Sequence, residues 1–87
     1  MPPKTEVLEY WAPWCEASRR MAPRMAELSA ALGSAAVLSR VNADEADAER
    51  LPRVVPTFVL LRGGAEIARL EGERSKEEVL GMMHSFP

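Results

Sequence analysis

The sequence predicts an α/β fold in the order β-α-β-α-β-β-α, with a four-stranded mixed sheet. Three observations carry this prediction. Two short apolar runs, residues 7–11 and 36–41, flank a long stretch of helical periodicity, and strands joined by a crossover helix run parallel. Residues 57–62 and 65–70 are β-rich runs separated only by Gly63-Gly64, a hairpin signal because both central positions of such a turn need positive φ. Ser75-Lys76-Glu77-Glu78 is a capping box that opens a last helix.

The first strand, Val7-Leu8-Glu9-Tyr10-Trp11, is mostly apolar and rich in β formers, as in a strand buried on both faces of a parallel sheet. A helix follows from about Cys15 to Leu32, with Met21, Met25, Leu28 and Leu32 as its buried stripe. Gly33 is placed to end it in a left-handed cap, and Pro23 inside it to kink it. Residues 36–41 form the second strand. Asp44 then caps a short helix over 45–50, with Asp47 at its third position. After the hairpin, the last helix carries Val79, Leu80, Met82 and Met83.

Eighty-seven residues suit one domain over 1–87, and a chain of this size buries only about 60–65% of its unfolded surface. The 47% apolar and 28% charged content is that of a soluble globular protein. A net charge of −2, with signs mixed along the chain, gives no footprint for nucleic acid. The longest apolar run, residues 58–61, is too short to span a membrane, and no secretory leader is legible at the N-terminus. One cysteine precludes an internal disulfide and, with one histidine, a structural zinc site. No metal and no cofactor are expected, and the cysteine usage points to a reducing cytoplasm.

Cys15 lies in Trp11-Ala12-Pro13-Trp14-Cys15-Glu16-Ala17-Ser18, and Val55-Pro56-Thr57 follows downstream. Together these segments resemble the active-site stretch and the cis-proline loop of the thioredoxin family. The resemblance covers nearly the whole chain. Trp11 and Trp14 look like the two flanking tryptophans, Cys15 like the attacking cysteine, and Pro23 like the proline that kinks the active-site helix. Arg40 stands where the family often has lysine, Gly72 where a glycine follows the last strand, and Glu9 where a buried aspartate lies beneath the active site. Two features depart from the pattern. The family's first strand and helix are absent, which by analogy leaves residues 36–41 as an uncovered sheet edge, a pairing hazard or a dimer interface. The second cysteine, three residues after the first, is replaced by Ser18.

The thiolate is the nucleophile in disulfide exchange, and an ordinary thiol with a pKa of about 8.5 is mostly protonated at neutral pH. Cys15 opens a helix, where free N–H groups and the macrodipole favour an anion. Ser18 is one turn on, so its hydroxyl can donate to the sulfur. Arg19 and Arg20 add positive charge, and Glu16 opposes it. A lowered pKa is therefore expected, in the direction for which the family is known rather than as an independent inference. The rival is an inert buried thiol, and the flanking motif favours the reactive one. A reactive Cys15 attacks a partner's disulfide and forms a mixed disulfide. A serine oxygen cannot resolve it, so the complex waits for an outside thiol, such as glutathione or a substrate cysteine. Ser18 is either natural or an engineered replacement of the resolving cysteine, the change by which such enzymes become substrate traps.

By resemblance, the site comprises Cys15, Ser18, Glu9 and Pro56 as its catalytic set, with Trp14, Val55 and Thr57 along a substrate groove and no metal. Glu9 on a buried strand should have a raised pKa and, by resemblance, relay protons; the alternative is a strand-end glutamate reaching solvent. Pro56 is expected to follow a cis bond and to expose a backbone edge on which a substrate segment adds as a strand; the alternative is a trans proline opening a strand. Trp11 is expected packed, Trp14 partly exposed as an apolar rim, Arg40 on a solvated edge rather than near Glu9, and His84 without a catalytic task.

These readings converge on a thiol–disulfide exchange protein that engages protein or glutathione disulfides through one cysteine. Thioredoxin reductase enters as a partner by resemblance, although net reduction with reductase turnover does not suit one thiol. Neither nucleic acid nor membrane is an expected partner. A dimer could form through a Cys15 disulfide or the exposed sheet edge. Two rivals stand beside this reading. One is a non-catalytic thioredoxin-fold binding module. The other, less in keeping with Trp-Cys-Glu-Ala-Ser, resembles the monothiol glutaredoxins, where one cysteine per protomer plus glutathione holds an iron–sulfur cluster.

Overall fold

In the computed structural model, residues 4–47 and 52–86 are described. The elements are β1 (Thr5–Trp11), α1 (Glu16–Leu32), β2 (Val37–Asn42), β3 (Thr57–Arg62), β4 (Ala65–Glu71) and α2 (Lys76–His84), with one 3₁₀ turn at Ala43–Glu45. The sheet order is β2-β1-β3-β4. β1 and β2 are parallel, as the crossover through α1 requires, and the other pairs are antiparallel. The α/β class and the four-stranded mixed sheet are thus as the sequence predicts. β2 is an edge strand, again as expected.

Alternation along the strands decides what each face carries. Val7, Glu9 and Trp11 share one face of β1; Phe58 and Leu60 share the matching face of β3, with Glu9 opposite Phe58 and Val7 opposite Leu60. Both helices lie on this face, because Met21, Met25, Leu28 and Leu32 of α1 and Val79 and Met82 of α2 join Val7, Phe58 and Leu60 in one core cluster. Burying each such side chain stabilises the fold by roughly 1.5–3 kcal/mol. The stripe read from the helical spacing is therefore the buried one.

Local signals set the ends. Gly63 and Gly64 take φ of 58° and 84°, which the tight hairpin demands. Ser75 Oγ accepts from the Glu78 N–H at 3.1 Å, and Glu78 Oε1 accepts from the Ser75 N–H at 3.1 Å, closing the capping box. Pro23 sits inside α1 on its exposed side, where it has no N–H to donate to the carbonyl of Arg19.

Two expectations need correction. Gly33 has the positive φ expected, 53°, but its ψ of −123° is not that of a left-handed cap; its N–H instead closes on Ser29 O at 3.2 Å. The expected helix over 45–50 is absent from its described part. Asn42, not Asp44, caps this segment: the Asn42 side chain accepts from the Asp44 N–H at 2.9 Å, and the turn ends at Glu45, with Ala46 extended. A short amide side chain that bonds the backbone two residues on favours a single tight turn over a helix. Residues 48–50 lie outside the described residues. Among the described residues, no helix is long and apolar enough to cross a membrane, and no group of metal-ligating side chains gathers.

Candidate functional site

The C-terminal end of β1 delivers the chain into α1 through Ala12–Cys15. The Cys15 N–H closes on Ala12 O at 3.1 Å, and Cys15 O accepts the first helical bond, from the Arg19 N–H at 3.0 Å. Cys15 is thus the N-cap of α1, with extended dihedrals of −95° and 117°. Its sulfur is partly exposed and donates to Val55 O at 3.6 Å. Ser18, one turn on, is 0% exposed, and its Oγ has no partner while the thiol proton is in place.

Ionisation reverses that arrangement. The sulfur becomes an acceptor among the free N–H groups of the helix start, and the Ser18 hydroxyl gains something to donate to. The Cys15 pKa is accordingly lowered. The largest cause is the Ser18 N–H, then the Ser18 hydroxyl, with smaller help from the Ala17 N–H and the Arg20 charge; burial opposes them. Arg20 is held nearby by Glu73, at 2.9 Å, and by Glu16, at 3.5 Å. Arg24 also bonds Glu73, at 2.7 Å, tying α1 to the segment that leads into α2.

Glu9 is 0% exposed, not a strand-end residue reaching solvent. It is bonded to Arg40 rather than to Cys15 or Ser18: Arg40 Nε donates to Glu9 Oε1 at 2.5 Å, and Glu9 Oε2 is buried without a partner. Burial raises its pKa, and the hydrogen bond and charge of Arg40 only partly offset this. The expectation for Arg40 therefore needs correction. It does lie on the edge strand, but Glu9 and Arg40 are register partners in the parallel pair, on the same face, and the long side chain crosses to the carboxylate. Its guanidinium also covers the Trp11 ring at 4.7 Å from the centroid, leaving 34% of the side chain exposed. His84 ends α2, exposed, away from these groups.

The Val55-Pro56 bond is cis and Pro56 is fully buried. Gly72, just past β4, donates its N–H to Pro56 O at 2.7 Å, which fixes the loop from behind. Thr57, expected in the groove, is 0% exposed and does not line it; its hydroxyl turns back to donate to Val54 O at 2.7 Å. Trp14 and Val55 do line it. The groove holds about 460 Å³ beside Cys15, walled also by Ala43, Asp44, Pro52, Arg53 and Val54. Trp14 is 68% exposed, more than a rim residue need be, and its Nε1 donates to Asp44 Oδ1 at 3.1 Å. Sequence reasoning missed Asp44, Arg53 and Val54. The only signal was the position of the last two just before Val55-Pro56. A larger polar hollow of about 530 Å³ lies elsewhere, over Arg24, Glu73 and the start of α2. Four of the charges that line it are held in Arg24–Glu73 and Arg74–Glu78 pairs, and Cys15 does not line it.

Comparison with known proteins agrees with this geometry. The Thioredoxin family model matches residues 2–85. The thioredoxin of Alicyclobacillus acidocaldarius is 30% identical over 80 residues, 87% of this chain and 75% of that protein. Among solved structures, thioredoxin-2 of the malaria parasite, described as a component of its protein secretion machinery, superposes with a TM-score of 0.81 at 26% identity, over 98% of this chain and 85% of its own. The germline-specific thioredoxin Deadhead of Drosophila melanogaster also gives 0.81, at 28% identity, over 97% and 82%. A match from residue 2 to residue 85 takes in every element from β1 to α2, and on that extent the chain belongs to the thioredoxin family.

Proposed function

We propose that this chain is a monothiol exchange protein, using Cys15 alone to form mixed disulfides. Thiol–disulfide chemistry in general follows from the family. The observation that carries the finer reading is the pair at the start of α1: a partly exposed sulfur whose anion the Ser18 N–H and hydroxyl favour, with an oxygen where the family keeps its second thiol. The Cys15 thiolate attacks one sulfur of a disulfide, forms a new S–S bond and expels the other sulfur as a thiolate. Ser18 stabilises the attacking anion but supplies no sulfur to displace the adduct. Release therefore requires an outside thiolate, from glutathione or a cysteine of the substrate, which takes the partner's sulfur and returns Cys15. This cycle suits deglutathionylation, isomerisation or capture of a protein partner in a reducing compartment such as the cytoplasm. It does not suit turnover by thioredoxin reductase. Pro56 and Val55 support the reading by keeping a carbonyl at the sulfur, and Trp14 by lending the groove an apolar wall.

The test is the rate of Cys15 alkylation by iodoacetamide against pH, followed by mass spectrometry after oxidised glutathione is added. An inflection well below about 8.5, with one glutathione adduct on Cys15, is expected. An inflection at or above that value, with no adduct, would refute the proposal and leave a binding module without covalent chemistry.

A further inference from the structure

The groove beside Cys15 has a charge arrangement that the exchange chemistry alone does not require. Its floor and walls are largely apolar, from Trp14, Ala43, Pro52, Val54 and Val55, but Asp44 and Arg53 also line it. Strand order fixes where these two charges lie. The segment of Cys15 follows β1, which is flanked by β2 on one side and β3 on the other. Asp44 follows β2. Arg53 precedes β3 and leans on Glu71, at the end of β4, still farther from β2. An anion and a cation therefore stand on opposite flanks of the sulfur.

Both charges are available to a ligand. Asp44 is exposed and uses Oδ1 for the Trp14 indole. Arg53 is 87% exposed, and its one ion pair among the described residues, with Glu71 at 3.3 Å, is long and open to water, the kind that contributes little and exchanges readily. The groove's 460 Å³ falls within the range of small-ligand sites, about 300–1,000 Å³. An extended tripeptide spans roughly 10 Å.

We infer that this groove takes a small zwitterionic peptide thiol of the glutathione class, its ammonium end at Asp44 and its terminal carboxylate at Arg53. In such a molecule the sulfur is carried by the middle residue, with the amine at one end and the glycyl carboxylate at the other, which is the order of charges found across Cys15. The second carboxylate, beside the amine, faces water. A strand of a larger protein has no chain ends here and could meet these two charges only through side chains of its own. The inference rests on the exchange reading and names the thiol that enters and leaves the cycle. Cys15 thiolate plus oxidised glutathione gives the Cys15–glutathione disulfide and one glutathione thiolate; a second glutathione thiolate reverses the adduct and regenerates oxidised glutathione.

The experiment compares second-order rates of Cys15 with oxidised glutathione and with uncharged hydroxyethyl disulfide, read by mass spectrometry. A short unstructured cysteine peptide supplies the reference ratio. Both disulfides meet the same thiolate, so the ratio is independent of its ionisation. The wild-type ratio should exceed the reference, and Arg53→Ala should lower it about three- to fivefold, the size of one exposed charge pair. Asp44→Asn, which keeps an acceptor for the Trp14 indole, should lower it similarly. With the glycyl carboxylates esterified, Arg53→Ala should no longer matter. A wild-type ratio equal to the reference, or unchanged by Arg53→Ala, overturns the inference while leaving Cys15 exchange with other partners standing. Failure of Cys15 to react with either disulfide overturns the exchange reading and this one together.

Discussion

Arg40→Ala isolates the one ion pair with a fully buried member among the described residues. Glu9 is 0% exposed and has a single partner, with Oε2 unpaired even in the wild type. Removing one member of a buried pair costs about 3–5 kcal/mol when the remaining charge cannot reach water. Here the Arg40 side chain is 34% exposed, so truncation opens a path for water and the low end, about 3 kcal/mol, applies. Loss of the Trp11 contact adds about 0.5–1 kcal/mol. The total is about 3.5–4 kcal/mol, and for a domain of 87 residues each kcal/mol is about 4–8 °C in Tm, so the variant should melt roughly 14–32 °C lower at slightly alkaline pH.

The pH dependence is what makes this prediction specific. Glu9 is held above its ordinary carboxylate value in the fold, so between the unfolded and folded values the native state binds the extra proton. Its contribution is most favourable below the ordinary value and is lost as pH rises through the raised one. Arg40 is the only influence pulling that value down, and its removal pushes Glu9 further up and steepens the loss. Toward pH 4 the raised value favours the neutral carboxyl, so the charge part of the penalty falls away and the variant should lose less, the Trp11 contact and one hydrogen bond. Urea unfolding at about pH 4 and pH 8 gives both numbers. In a Glu9→Gln background the Arg40→Ala penalty should shrink to about 1 kcal/mol, leaving a coupling of about 2.5–3 kcal/mol. Equal losses at the two pH values, or an undiminished penalty in the Gln background, would refute the assignment of that energy to a buried carboxylate.

Ser18→Ala should raise the alkylation inflection of Cys15 toward the ordinary thiol value, while stability holds or improves slightly because an unpartnered buried hydroxyl is removed; an unmoved inflection would show that the backbone N–H groups act alone. Ser18→Cys should turn over in a disulfide-reduction assay driven by dithiothreitol, and a rate at background would mean that Cys15 does not face substrate. Ser75→Ala removes one half of the α2 capping box and should cost about 1 kcal/mol, or 4–8 °C in Tm, with the Cys15 inflection unchanged.

Much of the fold was legible because its signals are local. The Met21-Met25-Leu28-Leu32 stripe, the Gly63-Gly64 turn and the Ser75–Glu78 box each lie within one element, and each appears where the spacing put it. The segment after β2 was misread for a reason of the same kind. Asp44 is a good helix cap in isolation, but Asn42 lies two residues earlier and takes its N–H first. A turn closed by the Asn42 side chain on the Asp44 N–H and a helix capped by Asp44 are alternative local structures, and propensity alone does not rank them.

The parts of the site that were not legible are those in which the sheet joins distant residues. Arg40 looked like a solvated edge residue because strand alternation leaves open which partner stands opposite. Only the parallel register, Glu9 against Arg40, makes the edge cation the counterion of a buried acid. Asp44 and Arg53 were invisible for a related reason. Neither is near Cys15 in sequence, and no periodicity connects them; they become neighbours of one sulfur because β1 lies between β2 and β3 and both connecting segments end at the same edge of the sheet. Cys15 and Ser18, by contrast, are one helical turn apart, so their chemistry is written in the spacing itself. The reactivity of this sulfur is thus a local property of the helix start, whereas its choice of partner belongs to loops that only the strand order brings together. Substitutions at Ser18 should therefore change how fast Cys15 reacts with every disulfide, and substitutions at Asp44 or Arg53 should change which disulfide it prefers.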